Sequence, residues 1–407
     1  MQKLLATILF TLHFFSCSAG KISVNEINEL LFDNNEIITG AEQIERYLPL
    51  LEGKRVAIAT NHTALVRTKN GAYVHLVDTL LALNVDIKKI FSPEHGFRGK
   101  ADAGERVYHS VDEETGLAIV SLYGSYRKPA DQDLKDLDII VFDMQDVGAR
   151  FYTYISTMHY VMEAAAENNI PVLILDRPNP NGHIVDGPIL QEEFKSFVGM
   201  HPVPVLHGMT IAEYALMING EGWLKDGVEC ELKYITCKGY NKSKRYALPV
   251  RPSPNLPNMT SVYLYPSLCY FEGTLVSVGR GTDKPFQIFG FPEYPDKDFS
   301  FTPESMTGAT NPPHKGKKCY GVDLTKMDMN ELQNINKLDL SYLIHAYKKR
   351  PKDIPFFNNF FNLLAGNNEL QKQIKAGLNE EEIRFSWQSD LNNFKELRSR
   401  YLIYPQF

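Results

Sequence analysis

The residues best suited to chemistry stand together at Ser92-Pro93-Glu94-His95-Gly96. A strand-like run, Ile87 to Phe91, stops at a serine and a proline, presents a carboxylate and an imidazole, and turns on a glycine. In open α/β sheets ligands sit outside the carboxyl ends of the strands, where loops leave the sheet. A glutamate placed there is a general acid if burial raises its pKa, and a base or nucleophile if it stays ionised. The competing roles are a turn cap for Glu94 and a satisfied loop histidine for His95.

Other strand ends carry comparable groups. Asp143 and Asp146 bracket Met144-Gln145. Two acids there would supply the second carboxylate of a glycoside hydrolase, ligate a hard cation such as Mg²⁺, or hold backbone amides as turn formers. Arg150, Tyr152 and Tyr154 alternate, which in an extended segment puts all three on one side. A guanidinium grips a carboxylate bidentately and a tyrosine ring offers a flat face to a sugar; alternatively the tyrosines begin a helix and pack inward. Asn61-His62 closes another strand. Asp176-Arg177, ahead of Pro178-Asn179-Pro180, reads either as a structural ion pair or as polar fingers on hydroxyls. Arg280 lies between Gly279 and Gly281 with Thr282 after it, a pattern suited to an anion approached closely by backbone. Glu272 is a further acid. There is no GxSxG elbow, HExxH, Walker A sequence or GxGxxG after the first strand, and the 11 histidines do not cluster at metal spacings. No cofactor or metal is expected.

These residues need a frame. Arg55–Thr60, Ile87–Phe91, Leu117–Leu122, Leu137–Phe142 and Pro171–Leu175 read as mostly apolar strands, with helices expected over Tyr73–Leu83 and Tyr154–Asn168. Such alternation argues for a parallel sheet covered on both faces, and the chemically active strand ends then converge on one edge. Thr210–Ile218 reads as a helix and Glu231–Thr236 as an edge strand. Four prolines between Pro249 and Pro257 mark the best boundary. Beyond it Asn330–Lys348, Asn367–Gly377 and Ile383–Tyr404 are helix-like, and 292–317 reads as surface loop. The expected organisation is a leader over 1–20, a catalytic domain over 21–248 and a smaller domain over 249–407 that closes the cleft.

The leader follows from a basic Met1-Gln2-Lys3, an apolar run from Leu4 to Phe15 and a small-residue end, the form of a secretory signal. Cys17 offers a second reading, the lipid-modified first residue of a bacterial lipoprotein. The expected location is therefore outside the cytoplasm, periplasmic or membrane-anchored. A net charge of −6 gives no electrostatic case for nucleic acid. At 407 residues with 43% hydrophobic content, the chain is long enough for two cores. Cys230, Cys237, Cys269 and Cys319 show neither a disulfide framework nor a zinc pattern. The oligomeric state stays open.

Thr60-Asn61-His62-Thr63, Ser92-Pro93-Glu94-His95-Gly96, Asp143 through Tyr154, Asp176 through Pro180, Phe271-Glu272-Gly273-Thr274 and Gly279-Arg280-Gly281-Thr282 together resemble the exo-β-N-acetylmuramidase (NamZ-type) family. The resemblance runs from about Lys54 to the C-terminus. It implies an α/β protein with a Rossmann-like N-terminal domain and a smaller C-terminal α/β domain, and a site in the cleft between them. It implies release of N-acetylmuramic acid from the non-reducing ends of peptidoglycan fragments, with Glu94 as catalytic acid. Asp143, Asp146 or Glu272 would assist, and Asn61, His62, Ser92, His95, Asp146, Arg150, Tyr152, Tyr154, Asp176, Arg177, Asn179, Glu272, Arg280 and Thr282 would surround the sugar. The lactyl carboxylate of that sugar needs a cation, for which Arg150 and Arg280 are the candidates. Two other classes fit the same residues: a non-catalytic sugar-binding protein, and a metal-dependent phosphohydrolase using Asp143 and Asp146.

Overall fold

Six short apolar runs form one parallel sheet, and the order in which they pair decides where a ligand can sit. The computed structural model describes residues 36–93, 96–98 and 110–406. The N-terminal segment with Cys17, and the Glu94-His95 pair, lie outside the described residues. From Ile37 on, the chain forms one compact unit.

In chain order, α1 (Ile44–Leu51) precedes β1 (Arg55–Thr60), a hairpin of β2 (Leu65–Arg67) and β3 (Tyr73–His75), α2 (Leu76–Ala82) and β4 (Asp86–Ser92). Next come β5 (Ser110–Val111), β6 (Ala118–Ser121), α3 (Asp131–Leu134) and β7 (Ile139–Asp143). Two crossover helices complete the pattern, α4 (Tyr154–Glu167) before β8 (Val172–Leu175) and α5 (Ile211–Gly220) before β9 (Leu232–Ile235). The sheet order is β5-β6-β4-β1-β7-β8-β9, parallel except for the edge strand β5. Counting only the parallel strands, this is the doubly wound 3-2-1-4-5-6 order, and the direction of winding reverses between β1 and β7.

Successive side chains of a strand point to opposite faces, and the two cores follow that rule. Val56 and Ile58 of β1 join Leu76 and Leu80 of α2 on one face. Ala57 and Ala59 join Met158 of α4 and the helices of the C-terminal half on the other. That second core runs without a break from the sheet into α6 (Met259–Leu268), β10 (Ile288–Phe291) and the helices beyond. The C-terminal half adds a three-stranded antiparallel sheet, β10 with β11 (Ser300–Phe301) and β12 (Cys319–Asp323), in the order β10-β12-β11. Then follow α7 (Met329–Gln333), α8 (Ser341–Lys349), α9 (Phe361–Ala365), α10 (Glu369–Ala376), α11 (Glu380–Ser386) and α12 (Gln388–Ser399).

The last residues are tied into the first half. The Ile403 and Tyr404 amides donate to Glu213 Oε1 at 3.0 and 3.1 Å, and the Tyr404 hydroxyl donates to Asp176 Oδ2 at 2.7 Å. Glu213 is fully buried and also accepts from Lys242 Nζ at 2.5 Å.

Three expected elements differ. Tyr73–Leu83 is not one helix: Tyr73–His75 pairs with Leu65–Arg67, and the His75 ring then caps α2 by accepting from the Val77 amide at 3.2 Å. The helical pattern over Asn330–Lys348 breaks between α7 and α8, where the Leu338 amide donates to buried Asp186 at 2.8 Å. Ile383–Tyr404 breaks at Trp387, whose indole N–H donates to the same carboxylate at 3.2 Å. In both breaks a tertiary hydrogen bond outweighs local helical periodicity.

Candidate active site

A cleft of ≈ 420 Å³ opens beside the carboxyl end of the parallel sheet. Tyr123 and Arg127 reach it from the loop after β6, and Tyr152 and Tyr154 from the β7–α4 connection. The proline-rich segment contributes Asn255, and the C-terminal half supplies Tyr265, Glu272 and Arg280.

Local chemistry fixes these walls. The Tyr152 and Tyr154 hydroxyls both donate to the Pro252 carbonyl, at 2.8 and 3.3 Å, so the two rings are held to the proline-rich segment. Those rings pack edge to face with centroids 4.8 Å apart, and Tyr152 meets Tyr265 at 5.8 Å. Asn255 Nδ2 donates to the Gly308 carbonyl at 2.8 Å. Across the cleft, Arg280 Nε meets Glu272 Oε1 at 2.5 Å, with both side chains about a fifth exposed. Gly279 and Gly281 have φ of 77° and 80°, a left-handed backbone that fits glycine and turns Arg280 toward Glu272. Thr282 serves that turn, its hydroxyl donating to the Gly279 carbonyl at 2.6 Å.

At the winding reversal between β1 and β7 several buried polar atoms have no hydrogen-bond partner among the described residues. They are Asn61 Nδ2, Ser92 Oγ, Gln145 Oε1 and Asp146 Oδ1. Buried polar atoms are nearly always paired, so these four mark this edge of the sheet as polar. Burial pushes the Asp146 carboxyl up to about 7 against the amides of Gly148 and Val147, which favour its ionised form. His62 Nε2 lies 2.9 Å from the Arg251 carbonyl, which ties this edge to the proline-rich segment.

Several expected ligand-binding residues are occupied by the fold. Asp143 and Arg177 form a buried bidentate pair at 2.5 and 2.9 Å, and Arg177 also donates to the Leu65 carbonyl. Both Asp143 oxygens are thus held by one guanidinium, which makes the pair a structural tie between the β7 and β8 strand ends. Asp176 accepts from the Ala212 amide at the start of α5 and from Tyr404, and burial pushes its carboxyl up to about 6. Asn179 bridges the Met209 carbonyl and the Asn181 amide.

Arg150 requires the largest correction. Its guanidinium is fully buried and donates to four carbonyls, those of Pro188, Val203, Leu364 and Ala365, at 2.7–2.9 Å. It holds the end of α9 to the first half of the chain and does not line the cleft. The alternation that grouped it with Tyr152 and Tyr154 holds for the tyrosines alone, because the Arg150 backbone N–H donates to the Val205 carbonyl at 2.8 Å before the chain turns into α4.

Arg127, Tyr123, Asn255 and Tyr265 line the cleft without having been singled out by sequence. Arg127 and Tyr123 follow a strand end, the signal that found the others; Asn255 and Tyr265 carried no pattern beyond the proline run.

A doubly wound sheet with a polar edge at its winding reversal, together with an aromatic cleft lined by a carboxylate and guanidinia, defines an α/β enzyme of the edge-cleft kind. Two family models cover the chain, the N-terminal part of the exo-β-N-acetylmuramidase NamZ over 56–260 and its C-terminal part over 263–404. The chain belongs to the exo-β-N-acetylmuramidase NamZ family. It is 40% identical over 377 residues to the peptidoglycan β-N-acetylmuramidase NamZ of Bacillus subtilis strain 168, covering 88% of this chain and 89% of that protein. Among solved structures it is similar to two DUF1343 family proteins of Bacteroides fragilis NCTC 9343. One is 46% identical with a TM-score of 0.84, the other 30% identical with a TM-score of 0.77; each match covers 91% of this chain and 99% of the other.

Proposed function

We propose that the protein is an exo-acting glycoside hydrolase that releases N-acetylmuramic acid from the non-reducing ends of peptidoglycan fragments, with Glu94 as the catalytic acid. The observation that carries the reading is the cleft itself. Tyrosine faces, a guanidinium and a carboxylate line a space of ≈ 420 Å³, and the name of the Bacillus subtilis relative supplies a sugar that matches those groups.

In this scheme Glu94 protonates the glycosidic oxygen as the bond to the anomeric carbon breaks, and charge builds on the sugar ring. A carboxylate near that ring stabilises the charge and either attacks the carbon or activates water. Glu272 is the described acid on the cleft wall, which favours it over Asp143, which does not line the cleft and is paired with Arg177. The same pairing weakens a phosphohydrolase built on Asp143 and Asp146.

Glu94→Gln is expected to fold normally and to lose at least about a hundredfold in turnover of a chromogenic muramide. Near-normal release of N-acetylmuramic acid by that variant would remove Glu94 from the role. Binding of the sugar by the wild type with no turnover would favour the binding-protein alternative. Export belongs to the same proposal, since the substrate lies outside the cytoplasm and the first twenty residues have the form of a signal. Fractionation that leaves the chain cytoplasmic would refute it.

A further inference from the structure

The arginines near the cleft are not equivalent. Arg150 spends its donors on four carbonyls, Arg177 is matched by Asp143, and Arg280 is matched by Glu272. Lys128, next to Arg127 in sequence, pairs with Glu163 at 2.8 Å and Glu167 at 2.6 Å. Arg127 alone among the described cationic residues lining the cleft is solvent-exposed and has no acidic partner among the described residues.

It is nevertheless held. The Arg127 guanidinium lies 4.3 Å from the centre of the Phe197 ring, and that ring stacks on Tyr160 at 6.3 Å with 16° between the planes. The Phe197 carbonyl accepts from Ser156 Oγ of α4 at 2.7 Å, which anchors the platform to a crossover helix. Stacking uses the face of a guanidinium and leaves its N–H edge for a planar, bidentate acceptor. A charge with no acidic partner among the described residues, lining a cleft and held against an aromatic platform, is the arrangement expected of a carboxylate reader.

We propose that Arg127 is the specificity-determining residue that recognises the carboxylate of the substrate sugar. This rests on the glycosidase reading above for the identity of that sugar, a hexosamine bearing an ether-linked carboxylic acid. Arg280 then acts with Glu272 as a neutral pair on the opposite wall.

The test measures binding and turnover separately, using the full chain as wild type, Arg127→Ala and Arg127→Lys. The probes are N-acetylmuramic acid, its amide (which lacks the charge) and N-acetylglucosamine for calorimetry, with the chromogenic muramide for kinetics. The wild type is expected to bind the acid roughly 10- to 100-fold more tightly than the amide. Arg127→Ala is expected to lose that preference, with amide and N-acetylglucosamine binding unchanged and the kinetic loss falling mainly on KM. Arg127→Lys is expected to recover only part, because an ammonium neither stacks nor forks. Equal loss for acid and amide, no loss at all, or a wild type that does not distinguish the two overturns the proposal. A wild type that shows the Arg127-dependent preference but releases nothing keeps the inference and removes the hydrolase reading.

Discussion

Replacing Arg150 by methionine separates a cation that holds the fold from one that holds a ligand. Methionine matches the length of the stem and removes every donor. Three carbonyls, those of Pro188, Leu364 and Ala365, take a hydrogen bond from the guanidinium, and the fourth, Val203, also accepts from the Leu190 amide at 3.2 Å. An orphaned buried carbonyl costs about 1–3 kcal/mol. Against three of them stands relief from burying a charge without an anion, itself several kcal/mol. Burial already draws the Arg150 pKa down to about 10, a sign of that strain on the charged form. The three carbonyls together come to about 3–9 kcal/mol, and the relief offsets part of that, leaving a net loss of about 3–5 kcal/mol. At a urea m of about 3 kcal/mol per molar, the unfolding midpoint should fall by roughly 1–1.7 M. Fluorescence of Trp223 and Trp387 reads the transition, and binding of N-acetylmuramic acid to the folded variant reads the site. A midpoint within about 0.3 M of wild type, together with a tenfold weaker sugar affinity, would refute the assignment and return Arg150 to the ligand.

Two further outcomes are expected. Asp146, ordinarily near 3.8 and raised by burial to about 7, stays protonated in the folded state over a range where the unfolded chain has lost the proton. Stability should therefore fall between about pH 4 and 7, by roughly 4 kcal/mol in total. Asp146→Asn should match the wild type near pH 4 and exceed it above pH 7, and parallel pH profiles in urea melts would show that burial does not shift this carboxyl. Glu272→Gln leaves Arg280 without its anion and should tighten N-acetylmuramic acid binding by about 2- to 10-fold, the range of a partly exposed ion pair; unchanged calorimetry would mean that the pair does not neutralise Arg280.

The sheet was readable because its central strands β7 and β8 are fully buried, and burial on both faces writes continuous apolar runs such as Ile139–Phe142 and Val172–Leu175. Of the residues singled out by type and spacing, Tyr152, Tyr154, Glu272 and Arg280 line the cleft. What sequence could not separate was an arginine facing the cleft from one facing inward. Arg150, Arg177 and Arg280 stand in similar polar, glycine-rich contexts, and their roles depend on partners 34 or more positions away for Arg177 and up to 215 away for Arg150. The C-terminal sheet escaped notice because β10 and β12 bring Gly290 and Gly321 face to face, and glycine weakens a strand pattern even where it permits two backbones to approach.

The bonds from Ile403 and Tyr404 to Glu213 and Asp176 bear on how the molecule is made. A ribosome delivers the whole sheet, and the buried acids at its far edge, before it delivers the residues that complete their hydrogen bonding. The N-terminal half therefore cannot reach its final hydrogen bonding before residues 403 and 404 are made, across contacts that span 190 to 228 positions. Until residues 403 and 404 are in place, Glu213 and Asp176 stand buried without these partners, so the two ends of the fold close as one step.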